Sequence, residues 1–143
     1  MEPQRAGDEL EIAALMNRYA RAVDTKDWDL YRSVFTDDAR IDYSADVFVG
    51  SVDGAIEFFT GLFSELVAMS MHYITNIEST IVGDTAQVRA LFYNPTRFTD
   101  VAELATFGGY YHHDLVRTAD GWRSTNLREE MVWTTNSPRA GQA

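Results

Sequence analysis

Apolar residues first recur at helical spacing. Ile12, Leu15, Met16, Tyr19, Ala20 and Val23 fall three or four apart, leaving Glu11, Asn17, Arg18 and Arg21 mainly on the other side. This spacing predicts an amphipathic helix with one buried stripe, ending near Asp24. Asp8 followed by Glu11 has the spacing of a helix-start box, which places the beginning at Asp8 and leaves residues 1–7 as a flexible tail. Thr25 is the expected cap of a short second helix reaching Phe35, with Asp27 and Asp29 complementing its dipole. From Ala39 the period becomes two. Ala39, Ile41 and Tyr43 alternate with Arg40 and Asp42, so a half-buried strand is expected with Tyr43 inward. After a loop through Val47 to Gly50, Asp53 is the expected cap of a third helix carrying Ile56, Phe59, Leu62, Phe63 and Leu66.

The second half reads almost wholly as strand. A run from about His72 to Val82 meets the tight-turn pair Gly83-Asp84 and continues from Ala86 to Tyr93 as a hairpin. Loop signals at Asn94-Pro95-Thr96 and Thr99-Asp100 precede a strand from Leu104 to Arg117. Ala119-Asp120-Gly121 then turns the chain into a last strand to Thr135, and residues 136–143 are an expected flexible tail. Helices followed by a strand meander indicate an α+β domain over residues 8–135, with one curved antiparallel sheet wrapped around the N-terminal helices.

Charge and composition narrow the partners. The 143 residues contain 12 Lys and Arg against 22 Asp and Glu, a formal net charge of -10, which opposes attraction to nucleic acid or an anionic membrane surface. Cysteine is absent, which excludes thiolate metal ligands and Cys nucleophiles. The N-terminal Met1-Glu2-Pro3-Gln4-Arg5 leads into an acidic helix without an apolar leader, and no apolar run approaches spanning length. A cytoplasmic protein is expected.

Candidate chemistry centres on His72, whose imidazole can accept a proton near neutral pH if a carboxylate sets its tautomer, and Asp24 is the candidate partner. On residue type alone His72 is an ordinary satisfied histidine, Asp24 a helix cap, and Tyr19 and Tyr43 core aromatics. His112 and His113 resemble a metal pair, but strand neighbours point to opposite faces, and Glu129 with Glu130 reads as a solvated edge for the same reason. No metal site is expected.

The segments Tyr19-Ala20-Arg21-Ala22-Val23-Asp24-Thr25-Lys26-Asp27-Trp28-Asp29, Arg40-Ile41-Asp42-Tyr43, Met71-His72-Tyr73-Ile74-Thr75-Asn76 and Asp120-Gly121-Trp122-Arg123 resemble the SnoaL-like group of the nuclear-transport-factor-2-like, or cystatin-like, cone folds. Relatives there include scytalone dehydratase, bile-acid 7α-dehydratase, hexachlorocyclohexane dehydrochlorinase and polyketide cyclases, and the similarity runs from about Leu10 to Trp133. The resemblance implies that His72 is a general base oriented by Asp24, that Tyr43 helps hold the water at a substrate carbonyl, and that Tyr19 assists at a substrate oxygen. It also departs from scytalone dehydratase, with Val23 in place of a second tyrosine and Asn94-Pro95 in place of a second catalytic histidine. Tyr110 or His112 is the expected substitute acid. Strand alternation adds Ile74 and Asn76 to the His72 face, with Phe92 and Asn94 or Tyr110 and His112 converging as substrate-binding residues.

The expected function is a cofactor-free lyase, a dehydratase acting on a hydrophobic cyclic substrate such as a steroid or polyketide. An isomerase or cyclase using the same dyad, and a non-catalytic ligand-binding module, are the alternatives. The apolar outer sheet face leads to an expected homo-dimer or homo-trimer.

Overall fold

The computed structural model describes residues 2–138. Helix α1 (Pro3–Asp24) buries Ile12, Leu15, Met16, Tyr19 and Val23, the stripe read from spacing. It begins five residues before the expected start, with Pro3 in the first turn, where its missing N–H costs nothing. Residues 3–7 are therefore helical rather than a tail.

Asp8 and Glu11 consequently do other work. Asp8 is 6% exposed. It accepts from Arg117 Nη1 and Nη2 at 2.7 and 3.1 Å and from Trp122 Nε1 at 3.2 Å, while Glu11 accepts from the Trp122 backbone N–H at 3.0 Å. Two acids on one helix face thus pin α1 to the far end of the sheet. The Arg117 hydrogen bond holds the Asp8 carboxyl below its ordinary pKa against the opposing effect of burial, with Trp122 assisting. A carboxyl with a depressed folded-state pKa stabilises fully above its unfolded pKa, and that contribution disappears as pH falls through the folded value. Asp8→Asn should therefore lower the urea midpoint at neutral pH and flatten its decline in acid below the ordinary aspartate range. An acid limb identical to that of the wild type would refute this.

Helix α2 (Trp28–Arg32) is capped by Asp27, whose side chain accepts from Leu30 N at 3.0 Å. Thr25 instead closes α1 by donating to Arg21 O at 2.7 Å, and α2 is shorter than expected. Strand β1 (Phe35–Tyr43) buries Ala39, Ile41 and Tyr43 as their alternation requires. A 3-10 turn at Ser44–Asp46 leads to strand β2 (Phe48–Ser51), which pairs antiparallel with β1 where a loop was expected. Helix α3 (Val52–Glu65) is capped by Ser51 accepting from Gly54 N at 3.1 Å; Asp53 lies in its first turn and pairs with Arg32.

Strands β3 (Val67–Ser70), β4 (Tyr73–Val82), β5 (Thr85–Phe98), β6 (Ala105–Thr118) and β7 (Gly121–Thr135) complete a curled sheet in the order β2-β1-β7-β6-β5-β3. This is the α+β cone expected from the sequence, with one parallel pairing, β1 with β7, among antiparallel ones. Long β5 pairs along its second half with β3 and along its first half with β4. The chain crosses between these partners at Met71-His72.

Asn94-Pro95-Thr96, expected as a loop, lies inside β5. Proline removes a ladder donor, but Pro95 O still accepts from Met71 N at 3.1 Å. Asn94 Nδ2 adds bonds to Ser70 Oγ and Met71 O, both at 2.9 Å. Those contacts hold the strand straight through. At the C-terminal end, Asn136 donates to Leu104 O at 3.2 Å, and the rest of the expected tail beyond Pro138 lies outside the described residues. No helix among the described residues is long and apolar enough to cross a membrane.

Candidate active site

The helices and the concave sheet face enclose a cavity of about 610 Å³. Its wall is mostly apolar, with Phe59, Leu62, Phe63, Phe92, Phe98 and Phe107 among its lining residues. Polar groups enter at a few points, the arrangement usual for a small-molecule site.

His72 lines this cavity from the corner between β3 and β4. Because the chain leaves one partner there and joins another, the His72 backbone N–H has no ladder acceptor, and Asp24 Oδ2 supplies one at 2.8 Å. The other carboxylate oxygen takes the ring: His72 Nδ1 to Asp24 Oδ1 is 2.6 Å. Asp24 follows the last buried turn of α1, so the helix stripe and the strand crossing together determine where the imidazole sits. The carboxylate is an acceptor, so Nδ1 carries the hydrogen and Nε2 is left with its lone pair. The His72 side chain is 9% exposed, against 21% for Asp24.

A chain of tyrosines forms a second polar point. Tyr31 and Tyr43 hydroxyls are 2.9 Å apart and those of Tyr43 and Tyr19 are 2.6 Å apart, all three buried. Tyr19 and Tyr43 line the cavity. One proton ordering, Tyr31 to Tyr43 to Tyr19, leaves the Tyr19 hydroxyl hydrogen for an oxygen in the cavity, and such chains polarise one another. Burial, before any other cause, pushes the Tyr19, Tyr43 and Tyr111 phenols well above their ordinary pKa, so they remain neutral donors.

Phe92 and Asn94 line the cavity as expected, but Tyr110 and His112 do not. Tyr110 lies under the Arg89 guanidinium at 3.8 Å, and His112 Nε2 pairs with Glu130 at 2.8 Å on the outer face. The inward positions are Tyr111, stacked on Phe92 at 4.4 Å, and His113, buried with Nδ1 2.8 Å from Ser124 Oγ. Desolvation lowers the His113 pKa to about 3. Asp114 carried the missed signal, since it marks the even-numbered face of β6 as the wet one. Ile74 and Asn76 are also absent from the wall: Ile74, paired with Phe92, packs against the core, and Asn76 lies in the bulge between Thr75 and Glu78 with its side chain exposed.

Glu129 reverses its expected place on a solvated edge. It lines the cavity, and its position between Leu127 and Met131 on the inner face of β7 was the available clue. Burial pushes its carboxyl well above the carboxylate range, and Asp46, from the 3-10 turn, acts in the same direction by charge and hydrogen bonding. Asp46 and Tyr111 were likewise not among the expected site residues. Among the described residues, no three His, Cys, Asp or Glu side chains converge as a metal-binding group.

With this geometry in place, residues 4–128 match the model of the SnoaL-like domain. The chain belongs to the SnoaL-like domain family. A curated relative, the uncharacterized protein Rv2910c of Mycobacterium tuberculosis H37Rv, is 36% identical over 120 residues, covering 81% of this chain and 80% of its own. Among solved structures, a candidate aromatic ring hydroxylase from Novosphingobium aromaticivorans is 34% identical and superposes with a TM-score of 0.83, covering 92% of this chain and 94% of that one. The hexachlorocyclohexane dehydrochlorinase LinA type 2 is 17% identical with a TM-score of 0.83, covering 92% and 89%, a likeness of fold. In this SnoaL-like domain His72, Tyr19, Tyr43, Asp46 and Glu129 line one cavity, with Asp24 and Tyr31 behind them as hydrogen-bond partners of His72 and Tyr43.

Proposed function

We propose that this SnoaL-like protein is a cofactor-free lyase, a dehydratase that removes water from a hydrophobic cyclic compound bearing a carbonyl, with His72 as general base. The observation that carries the reading is the 2.6 Å bond between His72 and Asp24 at the edge of a largely apolar cavity. Nε2 takes the proton from a carbon beside the carbonyl, and Asp24 stabilises the imidazolium that forms. The carbonyl oxygen gains charge as this happens, and the Tyr19 hydroxyl, backed by Tyr43 and Tyr31, donates to it. LinA, named for an elimination, shares the fold, and the roles that the resemblance implies for His72 and Asp24, base and orienting acid, agree with this reading. A steroid or polyketide ring system matches the apolar wall.

The test is incubation with a bicyclic β-hydroxyketone such as 3-hydroxytetralone, followed by product mass. Loss of water is the expected result; conversion without mass change would make the protein an isomerase.

Asp24→Asn provides a sharper check. Asparagine has one acceptor oxygen where Asp24 has two, and two donors face it, the backbone N–H and the ring. If the amide oxygen keeps the backbone, its NH2 faces Nδ1 and forces the hydrogen onto Nε2, which can then no longer act as a base. Turnover should fall on the order of 10²-fold with little change in overall fold. Activity retained within twofold would remove Asp24 from the mechanism.

A further inference from the structure

The base in this cavity has no evident acid. The expected donors, Tyr110 and His112, face outward, and the inward tyrosines are phenols whose acidity burial has weakened. Such phenols can hydrogen bond to a carbonyl but are poor sources of a proton for departing hydroxide. Glu129 differs in kind. It is the cross-strand partner of Tyr111, whose ring is 6.5 Å from that of His72, so base and carboxyl flank the same aromatic ring from the β5 and β7 sides of β6. Its Oε1 is buried without a hydrogen-bond partner among the described residues, although the side chain lines the cavity. An orphaned buried carboxyl oxygen carries a large desolvation cost unless a ligand or water meets it.

Resting on the elimination reading above, we propose that Glu129 is the proton donor of this cavity, held in place by Asp46 and delivering its proton to the leaving hydroxyl of the substrate. Two carboxyl groups within hydrogen-bond reach cannot both be charged at low cost, so one retains a proton. Glu129, whose Oε1 is buried, is the one that retains it. The titratable groups that interact with Glu129 through charge are Asp46 from the 3-10 turn, Asp42 from the opposite face of β1, Tyr19 from α1, Tyr31 from α2 and Tyr111 from β6, and the negative charges of Asp46 and Asp42 favour its neutral form. In the reaction His72 Nε2 takes the proton of the C–H beside the carbonyl, and that electron pair becomes the new C=C bond. The C–O bond breaks with its pair going to oxygen, and the Glu129 proton completes a water molecule. Imidazolium at His72 and carboxylate at Glu129 remain, and proton exchange through solvent restores both. Asp46 is a positioning residue.

Two measurements test this. Infrared difference spectra of wild type against Glu129→Gln at pH 7 should contain the C=O stretch of a protonated carboxyl that the variant lacks; its absence overturns the proposal whatever the reaction. In turnover, Glu129→Gln should slow loss of water from 3-hydroxytetralone about 10²-fold. That deficit should shrink at least tenfold with the 3-acetoxy analogue, whose leaving group needs no proton. Wild-type dehydration should decline as pH rises through the raised Glu129 pKa, the decline should be absent in Glu129→Gln, and Asp46→Asn should move it to lower pH. Equal deficits with both leaving groups, or an unmoved alkaline limb in Asp46→Asn, would overturn it. Should the wild type eliminate from neither compound, the lyase reading falls, and the donor assignment is decided by adding 1-tetralone. A shift of the protonated-carboxyl band supports Glu129 as a donor to a bound oxygen, and an unmoved band refutes it.

Discussion

His72→Ala should lower turnover by ~10² to 10⁴-fold, the usual contribution of a positioned general base, while circular dichroism and thermal midpoint change little. The imidazole lies at the crossing between β3 and β4, outside both strands, and the backbone N–H of residue 72 can keep its bond to Asp24 Oδ2 after the ring is removed. What disappears is the group whose lone pair faces the cavity. Exogenous imidazole should recover part of the rate, since removing the ring opens space beside a 610 Å³ cavity with Asp24 still in place to orient a guest. Wild-type activity in this variant on a substrate that the wild type dehydrates would end the assignment of His72 as base. A variant that lost activity together with its fold would instead be distinguished by the absence of imidazole rescue.

The largest stability loss should come from Trp122→Ala, about 3–5 kcal/mol, the range for deleting a fully buried aromatic. Trp122 is 1% exposed, its ring lies 4.4 Å beneath the Arg117 guanidinium, and its Nε1 donates to Asp8. Truncation leaves a void where α1 meets the β6–β7 turn and strips one donor from a buried carboxylate. Trp122→Phe keeps most of the volume and loses the Nε1 bond, so it should cost only about 1–2 kcal/mol. Urea unfolding of the pair measures both effects. A loss below about 1 kcal/mol for Trp122→Ala would mean that this contact does not hold the helix to the sheet.

The elements that could be read from the sequence are those in which one periodicity persists long enough to dominate. The stripe from Ile12 to Val23 and the alternation from Ala39 to Tyr43 are both buried as expected. The glycine turns were also legible, because Gly83 and Gly121 have φ of +59° and +100°, values that side-chain-bearing residues seldom adopt. The four-residue strands β2 and β3 were not, since neither is long enough to establish a period. Asp8, Thr25 and Asp53 each had a plausible local role, and in each case a different contact prevailed: Arg117 for Asp8, the Arg21 carbonyl for Thr25 and Arg32 for Asp53. The meeting of Asp24 with His72 was expected from resemblance, because 48 positions separate two residues that local pattern cannot join. Glu129 was missed by treating it as one of a pair with Glu130, whereas strand geometry sends one of the two inward and Leu127 already indicated which.

On β7 the register slips at Val132: Gly109 faces Met131 while Gly108 faces Trp133. Glu129 and Met131 line the cavity at odd positions, and beyond the slip Thr134 lines it at an even one. The inner wall and the rim are therefore written in opposite reading frames of a single strand. Substitutions at Thr134 that adapt the cavity to differently shaped guests lie out of phase with Glu129, so natural variation there can reshape one end of the wall while leaving the Glu129 end of the strand undisturbed.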